Sequence, residues 1–233
     1  MKLKKGVKKL LIQTGLYGLD KRVKKALRIP KYQMSFPPYG TDTHKAILGL
    51  IDVVRFGSIA LAIHRLQVDQ IGGELAEAGV YKGELSKFIT SLDTGRTLHL
   101  FDTFSGFPQQ ALDASEESDD RFTDTSVEAV KREIGDCTNI IFHEGIFPDT
   151  AEPILNKTFA FVMLDMDKYK PTLAGLEIFY PRMSPGGYIF IHDYNSPESE
   201  YGVSRAVNAF FKDKVEQIIE LPDRGGSAVI RKA

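Results

Sequence analysis

The sequence predicts an α/β domain with a doubly wound, mostly parallel sheet, a C-terminal antiparallel hairpin and a helical N-terminal extension. Three observations point there. Strand-like segments alternate with helix-like segments five times, the arrangement that builds parallel sheets through helical crossovers. Residues 159–165 (FAFVMLD) are apolar almost throughout, as suits a central strand covered on both faces. Each of the five strand-like segments also ends in an acid, which places five acidic ends along one edge of such a sheet.

Residues 34–41 (MSFPPYGT) read as a loop, because Pro-Pro and Gly break regular structure. Asp42 or Thr43 then caps a helix from about His44 towards Leu66, with Gly57 as the point where it would break in two. The first strand is 74–80 (ELAEAGV), which alternates in polarity. A helix over 84–92 follows, then a second strand over 97–102 (TLHLFD). Ser126 caps a helix over 126–135, and Gly135 ends it. Residues 140–144 (IIFHE) are the third strand and 159–165 the fourth. A helix over 172–180 stops at Pro181, SPGG at 184–187 turns the chain, and 188–192 (YIFIH) is the fifth strand. Val203, Ala206, Val207, Phe210 and Phe211 recur at helical spacing and give residues 202–213 one buried face. Strands near 215–220 and 227–231 flank PDRGG and form the hairpin.

With 233 residues the chain accommodates a basic arm over 1–40 and one large domain over 41–233. A net charge of -1 gives no bulk attraction to nucleic acid. The single Cys137 excludes an internal disulfide framework and suits a reducing compartment, hence a cytoplasmic location. No run of about 18 uncharged apolar residues predicts a transmembrane helix. Charge is unevenly spread: residues 1–31 hold eleven Lys/Arg and one acid, Asp20, so the body is acidic. Leu3, Val7, Leu10 and Leu11 at helical spacing would let this arm lie on an anionic membrane surface. The other reading is an arm that packs on a neighbouring subunit, as in a homodimer, or stays mobile.

Ligands of open α/β sheets bind beyond the carboxyl ends of the strands. Those ends carry Glu77, Gly79 and Gly83; Asp102; Glu144 and Gly145; Asp165 and Asp167; and His192 and Asp193. The first turn has G-x-x-x-G rather than the G-x-G-x-x-G of dinucleotide binders, and no Walker sequence occurs. Asp102 stands where an acid accepts hydrogen bonds from ribose hydroxyls; capping the turn before Gly106 is the alternative. Asp165 and Asp193 end strands expected to be neighbours, about 4.8 Å apart. Two carboxylates that close repel unless a cation or proton lies between them. A hard divalent cation suits them; a solvated acidic patch, or a single buried acid capping a helix, is the alternative.

GELAEAGVYKGELS at 73–86, LFDTFSGFP at 100–108, EGIFPDT at 144–150, LDMDKYKPT at 164–172 and SPGGYIFIHDY at 184–194 together resemble the macrocin O-methyltransferase family. That family methylates sugar hydroxyls in antibiotic and other secondary-metabolite pathways. The resemblance runs from about residue 44 to 231, and the ordered set of motifs is far more specific than one Gly-rich turn. It implies a Rossmann-like methyltransferase sheet and S-adenosylmethionine as methyl donor. The acceptor would be a hydroxyl of a sugar or of another small polyol or natural product. Glu77, Gly79 and the backbone through Tyr81 and Lys82 to Gly83 would hold the methionine part. Asp102, with Phe104 beside it, would bind the ribose, and Gly145 and Ile146 would line the adenine site. Asp165 would face the cofactor and serve both as metal ligand and as general base. His192 and Asp193 would complete a divalent site, for magnesium in most members.

Three positions depart from the family's pattern. Tyr81 and Lys82 stand where Trp and Arg are usual, which keeps an aromatic and a cation. His192 stands where an acid is usual. An imidazole is a poor magnesium ligand but suits manganese, iron or zinc, so the metal differs, or His192 faces away, or the site is metal-free. Lys168 is a second candidate base, since a lysine here is the base in related catechol-type methyltransferases; a solvent-facing lysine is the alternative. Residues 109–125 (QQALDASEESDDRFTDT) read either as a lid over the substrate or as a plain surface loop. Two further readings of the whole chain remain. One is a methyltransferase-like binding protein without chemistry, which His192 keeps open. The other is a dinucleotide-dependent sugar enzyme, against which the missing G-x-G-x-x-G counts.

Overall fold

The computed structural model describes residues 38–108 and 120–233. The expectations for the arm at 1–31 and for residues 109–119 lie outside the described residues. The chain divides into residues 1–37 and Pro38–Ala233, and the second unit carries the sheet.

Seven strands form this sheet: β1 (Glu74–Ala78), β2 (Leu98–Asp102), β3 (Ile140–Glu144), β4 (Phe159–Leu164), β5 (Met183–Ile191), β6 (Ile219–Leu221) and β7 (Ser227–Arg231). Their order across the sheet is β3-β2-β1-β4-β5-β7-β6. Strands β1 to β5 pair in parallel, while β7 runs antiparallel to both β5 and β6. The chain order reverses between β1 and β4. That switch point opens a crevice beyond the carboxyl ends of these two strands.

Among the described residues six α-helices accompany the strands: α1 (Thr41–Leu48), α2 (Val53–Val68), α3 (Glu84–Leu92), α4 (Val127–Ile134), α5 (Tyr169–Phe179) and α6 (Gly202–Phe211). Helices α2, α3 and α4 bury Ile59, Ile63, Ile89 and Val130 against Leu75, Leu98 and Met163. On the other face, α5 and α6 bury Leu176, Phe179, Val203 and Val207 against Ala76, Val162 and Leu164. Every residue of β4 is buried, which accounts for its unbroken apolar run. A register shift between Phe159 and Phe161 lets Phe159 and Val162 reach the same face although three positions separate them.

The predicted helix from His44 is two helices, and the break falls at Asp52 rather than Gly57. Asp52 Oδ1 accepts the Arg55 N–H at 3.0 Å, and Oδ2 accepts the Arg224 N–H at 3.1 Å. A carboxylate here satisfies a helix N-terminus and a distant turn together. Gly57 stays inside α2, where its missing side chain faces only Tyr39 Oη at 3.8 Å. Helix α1 starts after Gly40, with no side-chain cap from Asp42 or Thr43. Ser126 does cap α4, accepting the Ala129 N–H at 3.1 Å, and Gly135 follows its end. Strand β5 starts at Met183, before its apolar run, because Met183 pairs with Phe159 and the expected turn SPGG falls in the register shift before Tyr188 pairs with Phe161. No described helix is long and apolar enough to cross a membrane.

Asp52→Ala should lower stability by about 1–2 kcal/mol, since it removes a helix cap and the anchor of the Arg224 turn. Urea unfolding measures this; an unchanged midpoint and slope would refute it.

Candidate active site

A cavity of about 520 Å³ lies at the switch point, within the range of small-molecule sites. Glu77, Gly79, Tyr81 and Lys82 from the first turn line it, as do Asp102, Gly145, Ile146 and Asp165. Residues from four strand ends thus reach one cavity. The chain turns sharply at these ends: Gly79 has φ 87°, Tyr81 51°, Phe104 51° and Asp167 57°. Positive φ outside glycine is uncommon and gathers at functional sites. Gly79 has no alternative, because a Cβ there would lie 1.8 Å from the Asp165 carbonyl oxygen.

Asp102 ties two of these turns together. Its Oδ2 accepts the Val80 and Tyr81 N–H groups at 2.7 and 3.0 Å, and Oδ1 accepts Phe104 N–H at 2.7 Å. A carboxylate offers about four acceptor positions, so about one remains for a ligand hydroxyl. Asp102 therefore does cap the turn before Gly106, and that role leaves room for one ribose contact.

Glu77 is 1% exposed, and its Oε2 accepts the Ser86 hydroxyl at 2.6 Å. Burial pushes its carboxyl up to about 8, and the charges of Asp165 and Asp102 add to the rise, against Ser86 and Arg55.

Asp165 faces two basic side chains. Arg55 Nη1 of α2 lies 3.3 Å from Oδ2, and His192 Nδ1 lies 3.0 Å from Oδ1. His192 does not face away. Its Nδ1 is also 3.4 Å from Asp193 Oδ1, and its Nε2 donates to the Arg224 carbonyl at 2.7 Å. A carbonyl only accepts, so Nε2 carries a proton and Nδ1 points at two carboxylates. An electropositive species, a proton or a metal ion, must lie between them. Burial alone would lower the His192 pKa, but the Asp165 charge and the hydrogen bonds to Asp165 and Asp193 raise it to about 11. Asp165, His192 and Asp193 each offer one ligand atom, all within 4.8 Å of one another. A ring nitrogen fixed through its other nitrogen by a backbone carbonyl is the usual second-shell support of a metal-binding histidine. The donor set therefore fits a divalent ion that accepts imidazole. Gly225 closes the turn 222–226 over this point: a Cβ on it would lie 2.3 Å from Asp193 Oδ1.

Five expected residues stand off the cavity wall: Gly83, Phe104, Lys168, His192 and Asp193. Gly83 precedes α3, where a Cβ would press on Val130 at 2.8 Å, so its smallness serves helix packing. Phe104 is buried in the core with its ring beside Phe142. Lys168 is only 8% exposed, with Nζ 5.5 Å from the Phe107 ring, so it is not a solvent-facing lysine. Asp193 lies behind His192.

Sequence reasoning assigned no role to Arg55, Phe107, Phe122, Phe147 or Asp167, all on the wall. Burial and the charges of Asp165 and Asp193 raise the Asp167 carboxyl, while Arg121 lies 3.7 Å from it. Beyond residue 119 the chain returns to the cavity: Phe122 packs edge-on to Tyr81, and Asp124 accepts hydrogen bonds from Tyr81 and Lys82. The strand-end acids made Asp167 findable. Nothing in the motifs pointed to Arg55, whose place follows from the helix break at Asp52.

Residues 8–225 match the family described as macrocin O-methyltransferase (TylF). The chain belongs to that family. It is therefore an O-methyltransferase, and the methyl donor of this class is S-adenosylmethionine. An 8-demethyl-8-(2,3-dimethoxy-alpha-L-rhamnosyl)-tetracenomycin-C 4'-O-methyltransferase of Streptomyces olivaceus is 28% identical over 171 residues, 66% of each chain and so just short of two thirds of that relative. The mycinamicin III 3''-O-methyltransferase of Micromonospora griseorubida is 25% identical, over 96% of this chain and 92% of that one. The solved O-methyltransferase NovP shares the fold, with a TM-score of 0.64 over 78% of this chain and 80% of its own at 24% identity. Nothing in these relatives supports the dinucleotide reading.

Glu77 gives a signed prediction for the methyltransferase. Between its ordinary value of 4.5 and about 8 the folded chain holds a proton that the unfolded chain releases. Stability therefore falls as pH rises through that window. Glu77→Gln should become progressively more stable than the unsubstituted enzyme from pH 5 to 8, by on the order of a few kcal/mol. Urea unfolding at a series of pH values reads the difference, and a gap independent of pH would contradict it.

Proposed function

We propose that the enzyme transfers the methyl group of S-adenosylmethionine to a sugar hydroxyl on a small molecule. Asp165 is the base, and a divalent ion sits at Asp165, His192 and Asp193. The observation that carries this is the position of Asp165: its side chain stands on the cavity wall and also faces His192. One relative is named for a rhamnosyl-bearing tetracenomycin, which supports a sugar as the methylated group.

S-adenosylmethionine, when bound, supplies an electrophilic methyl group on a sulfonium. The chain supplies alignment. Glu77 and Gly79 hold the amino-acid end, Asp102 the ribose, and Gly145 and Ile146 the adenine, so that an acceptor oxygen meets the methyl group in line. Asp165 takes the hydroxyl proton as that oxygen attacks. Lys168 is the lesser candidate because it stands off the wall, against Phe107. The donor set of one imidazole and two carboxylates favours manganese, iron(II) or zinc over magnesium. Such an ion would lower the pKa of a bound acceptor hydroxyl.

Asp165→Asn should reduce kcat by at least about 100-fold while S-adenosylhomocysteine still binds; full turnover would remove Asp165 as the base. After chelation, manganese should restore turnover better than magnesium. Equal rates before and after chelation would remove the ion from this reading.

A further inference from the structure

Arg55 is a cation with one hydrogen-bonded acid, Asp165, and donors left over. It lies in the first turn of α2, an end of a helix that disfavours positive charge. Its side chain is 18% exposed and stands on the cavity wall. Nη1 meets Asp165 Oδ2 at 3.3 Å. Nε is 3.6 Å from Asp52 Oδ2, too far for a hydrogen bond, and is buried without a partner. Among the described residues Nη2 has no hydrogen-bond partner either. A guanidinium has five N–H donors, and most of these five make no hydrogen bond among the described residues.

The neighbours indicate what is missing. Arg55 and the buried Glu77 both line this cavity, and Arg55 reaches Asp165, which follows the strand paired with that of Glu77. The other cation among the described wall residues, Lys82, is held by Asp124. The cavity wall thus offers a buried carboxyl and a guanidinium with unused donors. The amino-acid end of S-adenosylmethionine is the complement: an ammonium and a carboxylate on one carbon. The planar fork of a guanidinium matches a carboxylate in two hydrogen bonds.

We propose that Arg55 recognises the α-carboxylate of S-adenosylmethionine, and so selects an amino-acid-bearing donor. This rests on the cofactor reading of the cavity. It also links donor binding to the turn 222–226, because Asp52 caps the helix of Arg55 and holds Arg224.

Calorimetric titration tests it with three ligands: S-adenosylhomocysteine, its decarboxylated analogue and 5'-methylthioadenosine, which lacks the whole amino-acid end. The unsubstituted enzyme should bind S-adenosylhomocysteine at least about tenfold more tightly than the decarboxylated analogue. Arg55→Met should weaken S-adenosylhomocysteine by about 10- to 100-fold and leave methylthioadenosine nearly unchanged. Arg55→Lys, which keeps the charge, should lose less and serves if Arg55→Met does not fold. Equal losses for both ligands, or none for either, would overturn the role of Arg55 and leave the cofactor reading standing. No binding of any of the three to the unsubstituted enzyme would overturn the cofactor reading itself, and Arg55's role with it.

Discussion

Asp165, His192, Arg224, Asp52 and Arg55 form a closed circuit of polar contacts. Asp165 faces His192, His192 donates to the Arg224 carbonyl, and Arg224 donates to Asp52. Asp52 accepts the backbone N–H of Arg55, and the Arg55 side chain returns to Asp165. This circuit joins the end of β4, the end of β5, the β6–β7 turn and the start of α2. Those four elements are far apart in sequence. The Asp165 backbone is fixed as well, since its carbonyl lies against Gly79. The side chain that the chemistry needs is therefore held from several directions, as a preorganised site requires.

The same crevice collects an unusual density of acids, and each is accommodated differently. Asp102 is satisfied by three backbone N–H groups. Glu77 is buried, and its carboxyl is pushed towards the protonated form. Asp165 has Arg55 and His192, while burial comes first in raising Asp167. Burial would raise Asp193 too, but the hydrogen bond and charge of His192 hold it below the usual range. A sulfonium donor and a divalent ion would both bring positive charge to this edge of the sheet. The electrostatics and the proposed chemistry thus have the same sign.

Much of the sheet was legible in the sequence because its strands are short, apolar and flanked by turn residues. β3 was read to the residue, and β4 to within one, since a strand buried on both faces leaves no ambiguity of pattern. The convergence of the strand ends followed from topology alone. What was not legible came from contacts between distant segments. The break at Asp52 depends on Arg224, which lies 172 positions away. The break was expected at Gly57 instead, and Arg55 was given no role. Phe104 sat within a family-like motif, yet its backbone conformation turns its ring into the core. Gly83 looked like a ligand-approach glycine, and its neighbour is Val130 of α4 instead.

The most direct test is a crystal structure of the protein grown with S-adenosylhomocysteine. The account predicts the adenine against Gly145 and Ile146, a ribose hydroxyl on Asp102 and the amino-acid end beside Glu77, with the sulfur turned towards Asp165. Density for the ligand anywhere else, or an unfilled cavity at saturating ligand, would contradict the assignment of this crevice as the methyl-donor site.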